Sequence, residues 1–298
     1  MVKLSDYTKV IHITNGWSGD KKYCVTDKTG QRYLLRISPT EQYDRKKSEF
    51  EHMQQVASLV IPMCKPVEFG SCDEGIYSLQ TWIDGKDAEE VIPILSDRKR
   101  YSYGFEAGQI LRKIHSIPAP DSIENWESFF NQKIDRKIIM YNECSLKYDN
   151  GAAFIEYIEA NRHLLKNRPQ VYQHGDYHIG NLMIDNNGQI VVIDFNRNDY
   201  GDPWEEFNRI VWCAQSAPLF ATGMVDGYFD GRVPMDFWNL LALYIASNTL
   251  SSLPWAIPFG QGEIDTMTNQ AKEVLEWYDG MKNPVPTWYV KNYIYKLF

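Results

Sequence analysis

The sequence predicts an α+β chain of two lobes, a small antiparallel-sheet lobe followed by a larger, mainly helical one. Three observations predict it. β-prone runs separated by turn residues fill the first third of the chain, and helical periodicity dominates from Tyr103 onward. The one clear return to strand, over residues 182–194, has the pattern of a hairpin around Asn187-Gly188.

Taken in order, residues 23–26 and 32–37 are β-prone and flank a turn at residues 27–30, which predicts a hairpin. Pro39 and Thr40 close it. Residues 41–59 follow with Phe50, Met53, Val56 and Ala57 at helical spacing, and Pro62 and Pro66 end that helix. Residues 67–70 and 76–83 are further strands. Composition shifts at Asp84-Gly85, which sets the expected lobe boundary: 1–83 and 84–298. Beyond it, residues 103–116 place Ala107, Ile110, Leu111 and Ile114 on one face, and Pro118 and Pro120 stop them. Residues 126–139, 153–166, 205–214, 237–250 and 264–278 are also expected to be helical.

Composition narrows the function. Of 298 residues, 44% are hydrophobic and 23% charged, so a packed core is affordable and disorder is not expected. The net charge of −8 argues against general nucleic-acid binding, which recruits basic faces. The first sixteen residues carry Lys3, Asp6 and Lys9 and no apolar run, so no export signal is expected there. Residues 237–262 lack charge but hold Asn239, Ser247, Asn248, Thr249, Ser251, Ser252 and Pro254, which predicts a buried helix and loop rather than a membrane span. Five cysteines, Cys24, Cys64, Cys72, Cys144 and Cys213, without Cys-x-x-Cys spacing read as reduced, buried thiols of a cytoplasmic protein.

The chemistry concentrates in residues 174–195, HGDYHIGNLMIDNNGQIVVIDF. With Asn187-Gly188 as the two central turn residues, Asn186 pairs with Gln189, and counting outward sets Asn181 opposite Asp194. Directly opposed side chains stand about 5 Å apart at Cβ. An amide oxygen and a carboxylate would then lie together, the hard donors that Mg²⁺ takes alongside phosphate oxygens; a bulge would shift this register by one. Asp176 enters the same hairpin five residues before Asn181, where a carboxylate can take a proton from a hydroxyl.

This segment resembles the catalytic loop of the aminoglycoside phosphotransferase family, of protein-kinase-like fold, whose pattern is H-G-D-x-x-x-x-N followed by I-D-[FWLY]. His174-Gly175-Asp176, Asn181 and Ile193-Asp194-Phe195 match it. The resemblance implies Asp176 as catalytic base, Asn181 and Asp194 as Mg²⁺ ligands, and transfer of the γ-phosphate of ATP or GTP. It gives His174 and His178 supporting roles in the loop, and Asp202, in Gly201-Asp202-Pro203, the role of bracing it. The implied lobes are a nucleotide-binding lobe over 1–83 and a catalytic and substrate lobe over 84–298. Residues 15–20, with Ser18, occupy the place of the family's phosphate-covering loop.

Arg36 stands where the family usually has lysine. Arg keeps the charge and can fork onto phosphate. Its expected helix partner is Glu49, with Glu51 as the other choice. Gln80, Trp82 and Ile83 fall in the hinge whose backbone meets the nucleobase; Tyr77 and Trp82 either wall the base or pack in a core. His115 reads as structural. Asn196 follows Asp-Phe at a position where the family varies.

For the acceptor, the sequence offers Asp199, Asp202, Glu205, Glu206, Glu263 and Asp265, acids able to meet the ammonium groups of an aminoglycoside. The aromatics of the C-terminal half suit a macrolide or a choline-like cation equally; a sugar is a further alternative. Two other readings remain open: a nucleotide-binding module without catalysis, motivated by Arg36, and a metal-dependent hydrolase using His174, Asp176, His178 and Asp194. Oligomeric state is not legible.

Overall fold

The computed structural model describes residues 3–14, 19–291 and 293. In chain order the elements are β1 (Lys9–Ile13), β2 (Lys21–Thr26), β3 (Arg32–Ser38), α1 (Tyr43–Ala57), β4 (Pro66–Cys72), β5 (Gly75–Thr81), β6 (Gly85–Asp87) and α2 (Ala88–Val91). They continue with α3 (Asp97–Ile114), α4 (Trp126–Glu143), α5 (Ala152–Asn161), β7 (Val171–Gln173), β8 (Leu182–Asp185), β9 (Ile190–Val192) and β10 (Asp199–Gly201). The chain ends with α6 (Ile210–Ser216), α7 (Pro218–Phe229), α8 (Met235–Ala256) and α9 (Gln261–Trp277).

The chain divides into two compact units. The first is Met1–Ala88 with Gly180–Asn198; the second is Glu89–Ile179 with Asp199–Phe298. The hairpin that sequence reading counted in the second lobe therefore groups with the first. Asp176 belongs to the second unit, and Asn181 and Asp194 to the first.

The first unit carries an antiparallel sheet in the order β1-β2-β3-β5-β4. Strand periodicity explains its core. Leu35 pairs with Leu79 and Ile37 with Tyr77 across β3 and β5, and with Val25 they form one buried cluster. Arg36, between Leu35 and Ile37, points to the other face and is itself 6% exposed. There α1 packs on β4 and β5 through Met53 and Val56. The smaller sheet β6-β8-β9 completes this unit.

In the second unit α3 and α7 pack along their lengths at close backbone distance. Glycines permit it: a Cβ on Gly104 would stand 2.0 Å from the Phe220 carbonyl oxygen. Helix α7 was not among the expected elements. Nearly every residue of it is buried, so it shows no polar face and no period. Segment 205–214 splits into a 3-10 turn, Glu205–Arg209, and α6. The apolar run Met235–Phe259 is long enough to cross a membrane, but two-thirds of its most apolar stretch is buried within the protein, where α8 packs on α4, α5 and α9.

Candidate active site

The hairpin turns differently from the sequence expectation. β8 and β9 pair Leu182 with Val192, Met183 with Val191 and Ile184 with Ile190. The Asp185 amide donates to the Gln189 carbonyl at 2.9 Å, so the loop is Asn186-Asn187-Gly188, three residues rather than two. Asp185 favours it by accepting the amides of Asn187 (2.9 Å) and Gln189 (2.8 Å). Gly188 takes φ +79, the left-handed residue of a bulged three-residue turn. The register is thus one step off: Asn181 lies opposite Ile193, whose amide donates to the Asn181 carbonyl at 3.1 Å. Asp194 comes one residue later, at φ 65 and ψ 58, where the strand ends in a left-handed turn that Asp tolerates better than most residues.

Asp194 meets Arg36. Arg36 Nη1 donates to Asp194 Oδ1 at 2.7 Å, joining residues 158 apart in sequence. A second carboxylate on this guanidinium is Asp20, just before β2. Arg36 Nε and Nη2 each approach Asp20 Oδ2 at 3.2 Å. Asp20 also accepts from Ser38 Oγ (2.7 Å) and Lys46 Nζ (3.0 Å). Burial alone would raise the Asp20 pKa, but the Ser38 hydroxyl and the Lys46 and Arg36 charges hold it below its usual value. The same carboxylates raise the Arg36 pKa against the opposing pull of burial.

Among the described residues, then, the Arg36 ion pairs run to Asp20 and Asp194, not to the helix glutamate. Glu49 pairs with Arg45 (2.9 Å) and Lys46 (3.0 Å), and reaches Arg36 only through Lys46 and Asp20. It does line one pocket with Arg36, Phe50, Gln80 and Phe195. Glu51 is exposed beside Lys47. Sequence spacing had no means of finding Asp20, since the contact depends on the β2–β3 register. That register also sets Lys22 beside Arg36, and burial together with the Arg36 charge lowers the Lys22 pKa.

At the hinge, the amides of Thr81 and Trp82 donate to the carbonyls of Lys65 (2.9 Å) and Arg32 (3.4 Å). Gln80 is buried in the β5 ladder. Tyr77 is core, its hydroxyl on Glu68 at 2.5 Å. Ser18 and residues 15–17 lie outside the described residues.

In the second unit the 174–179 loop is tied down by a carboxylate with a different expected role. Glu206 accepts the amide of Gly175 (3.0 and 3.1 Å) and that of Tyr177 (3.3 Å). Burial would raise the Glu206 pKa, but His115, His174 and the Gly175 amide hold it down. His115 Nε2 stands 3.8 Å from it, and His115 Nδ1 meets the Tyr228 hydroxyl at 3.0 Å, in keeping with a structural histidine. His174 is buried, and its Nδ1 accepts the Asp176 amide at 3.3 Å. His178 Nε2 lies 3.7 Å from Asp176 Oδ1. The Tyr177 hydroxyl anchors the loop on the Ala107 carbonyl at 2.8 Å.

Asp202 braces less directly than the resemblance implied. Fully buried, it binds Arg168 through two bonds (2.6 and 3.0 Å) and accepts the Tyr244 hydroxyl (2.6 Å). Only its carbonyl reaches the loop, through Gln173 Nε2 at 2.8 Å. Of the six acids offered to a cationic acceptor, three are engaged within the protein, Asp202 by Arg168, Glu206 by loop amides and Glu205 by Lys133 at 3.2 Å, while Asp199 and Asp265 are exposed. A cation, Arg209, also approaches Asp176, with Nε 3.3 Å from Asp176 Oδ1.

Asn181 and Asp194 are hard oxygen donors and fit a Mg²⁺ that takes one or two protein oxygens and completes its shell with phosphate and water. Among the described residues no group of three or more His, Cys, Asp or Glu is arranged to hold a metal. The cysteines are free thiols. Burial pushes those of Cys64 and Cys213 up to about 12, which suits packing and not nucleophilic chemistry.

Comparison with known proteins agrees with these features. A curated aminoglycoside 3'-phosphotransferase of Niallia circulans is 25% identical over 207 residues, covering 66% of this chain and 75% of its own. Among solved structures, a ternary complex of aminoglycoside phosphotransferase APH(4)-Ia with ADP and hygromycin B has a TM-score of 0.66 at 15% identity, covering 92% of this chain and 95% of that one. The amicoumacin kinase hAmiN in complex with AMP-PNP, Ca²⁺ and Ami gives 0.65 at 13%, covering 96% and 91%. The gentamicin complex of APH(2")-IIa gives 0.62 at 17%, covering 91% and 93%. These likenesses show a common two-lobed fold. The model of the "Phosphotransferase enzyme family" matches residues 9–238. That match covers most of the chain, so the protein belongs to this phosphotransferase family and is a small-molecule kinase.

Proposed function

We propose that the enzyme transfers the γ-phosphate of ATP or GTP to a hydroxyl of a small molecule, with Mg²⁺ held by Asn181 and Asp194. The observation that carries this reading is the Arg36–Asp194 pair. Two groups assigned independently to phosphate and to metal, 158 residues apart, meet at 2.7 Å. A bound Mg²⁺ would neutralise charge on the β- and γ-phosphates. Arg36, held in orientation by Asp20, meets phosphate oxygens with its planar fork, and Lys22 beside it adds positive charge. With the Thr81 and Trp82 amides committed, Ile83 is the hinge residue whose backbone serves the base. Asp176, whose loop Glu206 fixes, accepts the acceptor's hydroxyl proton. The hydroxyl oxygen bonds to the γ-phosphorus, the bond to the β-phosphate oxygen breaks, and nucleoside diphosphate leaves.

Nucleotides accompany the solved relatives, as ADP with APH(4)-Ia and AMP-PNP with hAmiN, which supports a nucleotide donor. The acceptors named for relatives include hygromycin B and gentamicin, so an aminoglycoside screen is the natural first assay. Free thiols in all five cysteines support a cytoplasmic setting. The test is ADP or GDP release with Mg²⁺ in the parent, Asp176→Asn and Asp194→Ala. We expect Asp176→Asn to lower kcat by about 100-fold or more and Asp194→Ala to abolish Mg²⁺-dependent turnover. Full Mg²⁺-dependent turnover in Asp194→Ala would contradict the assignment, and nucleotide binding without turnover of any acceptor would favour the non-catalytic module.

A further inference from the structure

Strand periodicity sets Gln80 on the same face of the first unit's sheet as Arg36. In the β3–β5 ladder Arg36 lies opposite Ser78 and Leu34 opposite Gln80, while Tyr77 and Leu79 turn to the apolar cluster on the other face. Gln80 therefore stands diagonally from Arg36, about 7–8 Å along the sheet toward the hinge. It lines one pocket with Arg36, Lys46, Phe195 and Asn196. The charges of that pocket are matched: Arg36 by Asp20 and Asp194, and Lys46 by Asp20 and Glu49. The side chain of Gln80 is not. The residue is only 9% exposed, and among the described residues its side-chain amide makes no hydrogen bond, although its backbone is held in the ladder. A buried primary amide without partners is costly, and a ligand that supplies a donor and an acceptor offsets that cost.

We propose that the Gln80 amide selects adenine over guanine in the nucleotide donor. The inference rests on the phosphotransfer reading above and deepens it. A nucleotide with its phosphates on Arg36 and its base at the Ile83 backbone spans the face on which Gln80 stands. The side chain offers it one acceptor, the carbonyl oxygen, and one donor, the NH₂ group, side by side. Adenine matches that pair with its N6 amine as donor and N7 as acceptor. Guanine presents O6 and N7, two acceptors, an edge that Arg or Lys matches and an amide does not. The pocket's own cations do not replace the amide at the base, because carboxylates hold both and Arg36 serves phosphate. Guanine would leave the Gln80 oxygen facing O6 with no proton between them.

The test measures Kd by calorimetry on the full chain with Mg²⁺, for ATP, GTP, ITP and 7-deaza-ATP, and needs no acceptor. ITP replaces the N6 amine by O6, and 7-deaza-ATP removes N7 alone. The parent, Gln80→Met and Gln80→Glu are compared, with melting temperatures. In the parent, ATP should bind about tenfold or more tighter than GTP and ITP, the discrimination of one paired base edge. 7-deaza-ATP should bind about fivefold more weakly than ATP, the loss of one neutral hydrogen bond. Gln80→Met, similar in length, should bring ATP and GTP to nearly equal affinity. In Gln80→Glu, whose carboxylate repels N7, 7-deaza-ATP should bind at least as tightly as ATP. Gln80→Met should melt no lower than the parent, since no hydrogen bond between described residues is lost; a glutamine with only a structural role would lower the melting temperature and leave the ATP-to-GTP ratio where it was. GTP bound as tightly as ATP by the parent overturns the proposal. So does a ratio that Gln80→Met leaves unchanged, or 7-deaza-ATP bound by the parent as tightly as ATP. Failure of the parent to bind any of these nucleotides would instead bring down the phosphotransfer reading, and this inference with it.

Discussion

Asp20→Asn tests how Arg36 is held. The substitution keeps the side chain's shape and removes its charge. Asp20 is 4% exposed and bridges Arg36, 7% exposed, and Lys46, 12% exposed, at 3.2 and 3.0 Å. At these distances each attraction is about 5 kcal/mol gross with an effective dielectric constant of 20. Most of that offsets the cost of burying the ions, and deleting one partner of such a pair costs about 3–5 kcal/mol net. Each cation keeps a second carboxylate, Asp194 at 2.7 Å and Glu49 at 3.0 Å. The lower end, about 3 kcal/mol, is therefore expected, a fall in melting temperature of roughly 5–10 °C. Arg36, left with Asp194 as its carboxylate, should lose its orientation, and KM for the nucleotide should rise about tenfold, one charge-assisted contact's worth. Urea unfolding and steady-state kinetics measure both. Ser38→Ala, which removes one neutral bond to the same carboxylate, should cost only about 1 kcal/mol. If Asp20→Asn is no less stable than Ser38→Ala and binds nucleotide as the parent does, the account of Arg36 is wrong.

Other outcomes follow from the same geometry. Glu206→Gln should lower kcat with little change in nucleotide KM, because it weakens the hold on the Gly175 and Tyr177 amides and not the nucleotide site. The Glu206 pKa is depressed in the fold, so its contribution is present above the unfolded value near 4.5 and is lost as pH falls below it. Acid titration of stability should therefore be shallower below pH 4.5 in Glu206→Gln than in the parent. Gly104→Ala should destabilise by about 1–3 kcal/mol or more, because a Cβ 2.0 Å from backbone must push α3 and α7 apart; an unchanged urea midpoint would contradict that packing.

Periodicity and turn residues carried much of the fold into view. Strand alternation found β3 and β5, and proline punctuation bounded α1. What stayed hidden had physical causes. Helix α7 is buried nearly all round and carries Gly223 and Gly227, so its sequence is apolar throughout and shows no amphipathic period. The hairpin register moved by one because Asp185 stabilises a three-residue loop as readily as Asn187-Gly188 supports a two-residue one. Asp194 and Asp176 are candidates that local pattern supplies. Asp20 and Arg209 act through tertiary contacts, to Arg36 and Asp176 respectively, that no local spacing records. Glu206 was visible only as an acid near the loop; its fixing of two loop amides appears once the chain is folded.

The claim that most depends on measurement is that Asn181 and Asp194 share one divalent ion with the nucleotide. A crystal structure with Mn²⁺ and a non-hydrolysable nucleotide, read by anomalous scattering, tests it most directly. The account predicts a manganese peak at about 2.0–2.2 Å, the range of hard-oxygen coordination, from the Asp194 carboxylate and the Asn181 side-chain oxygen, with Arg36 on phosphate. An ion bound elsewhere, with Asp194 still closed on Arg36, would contradict it.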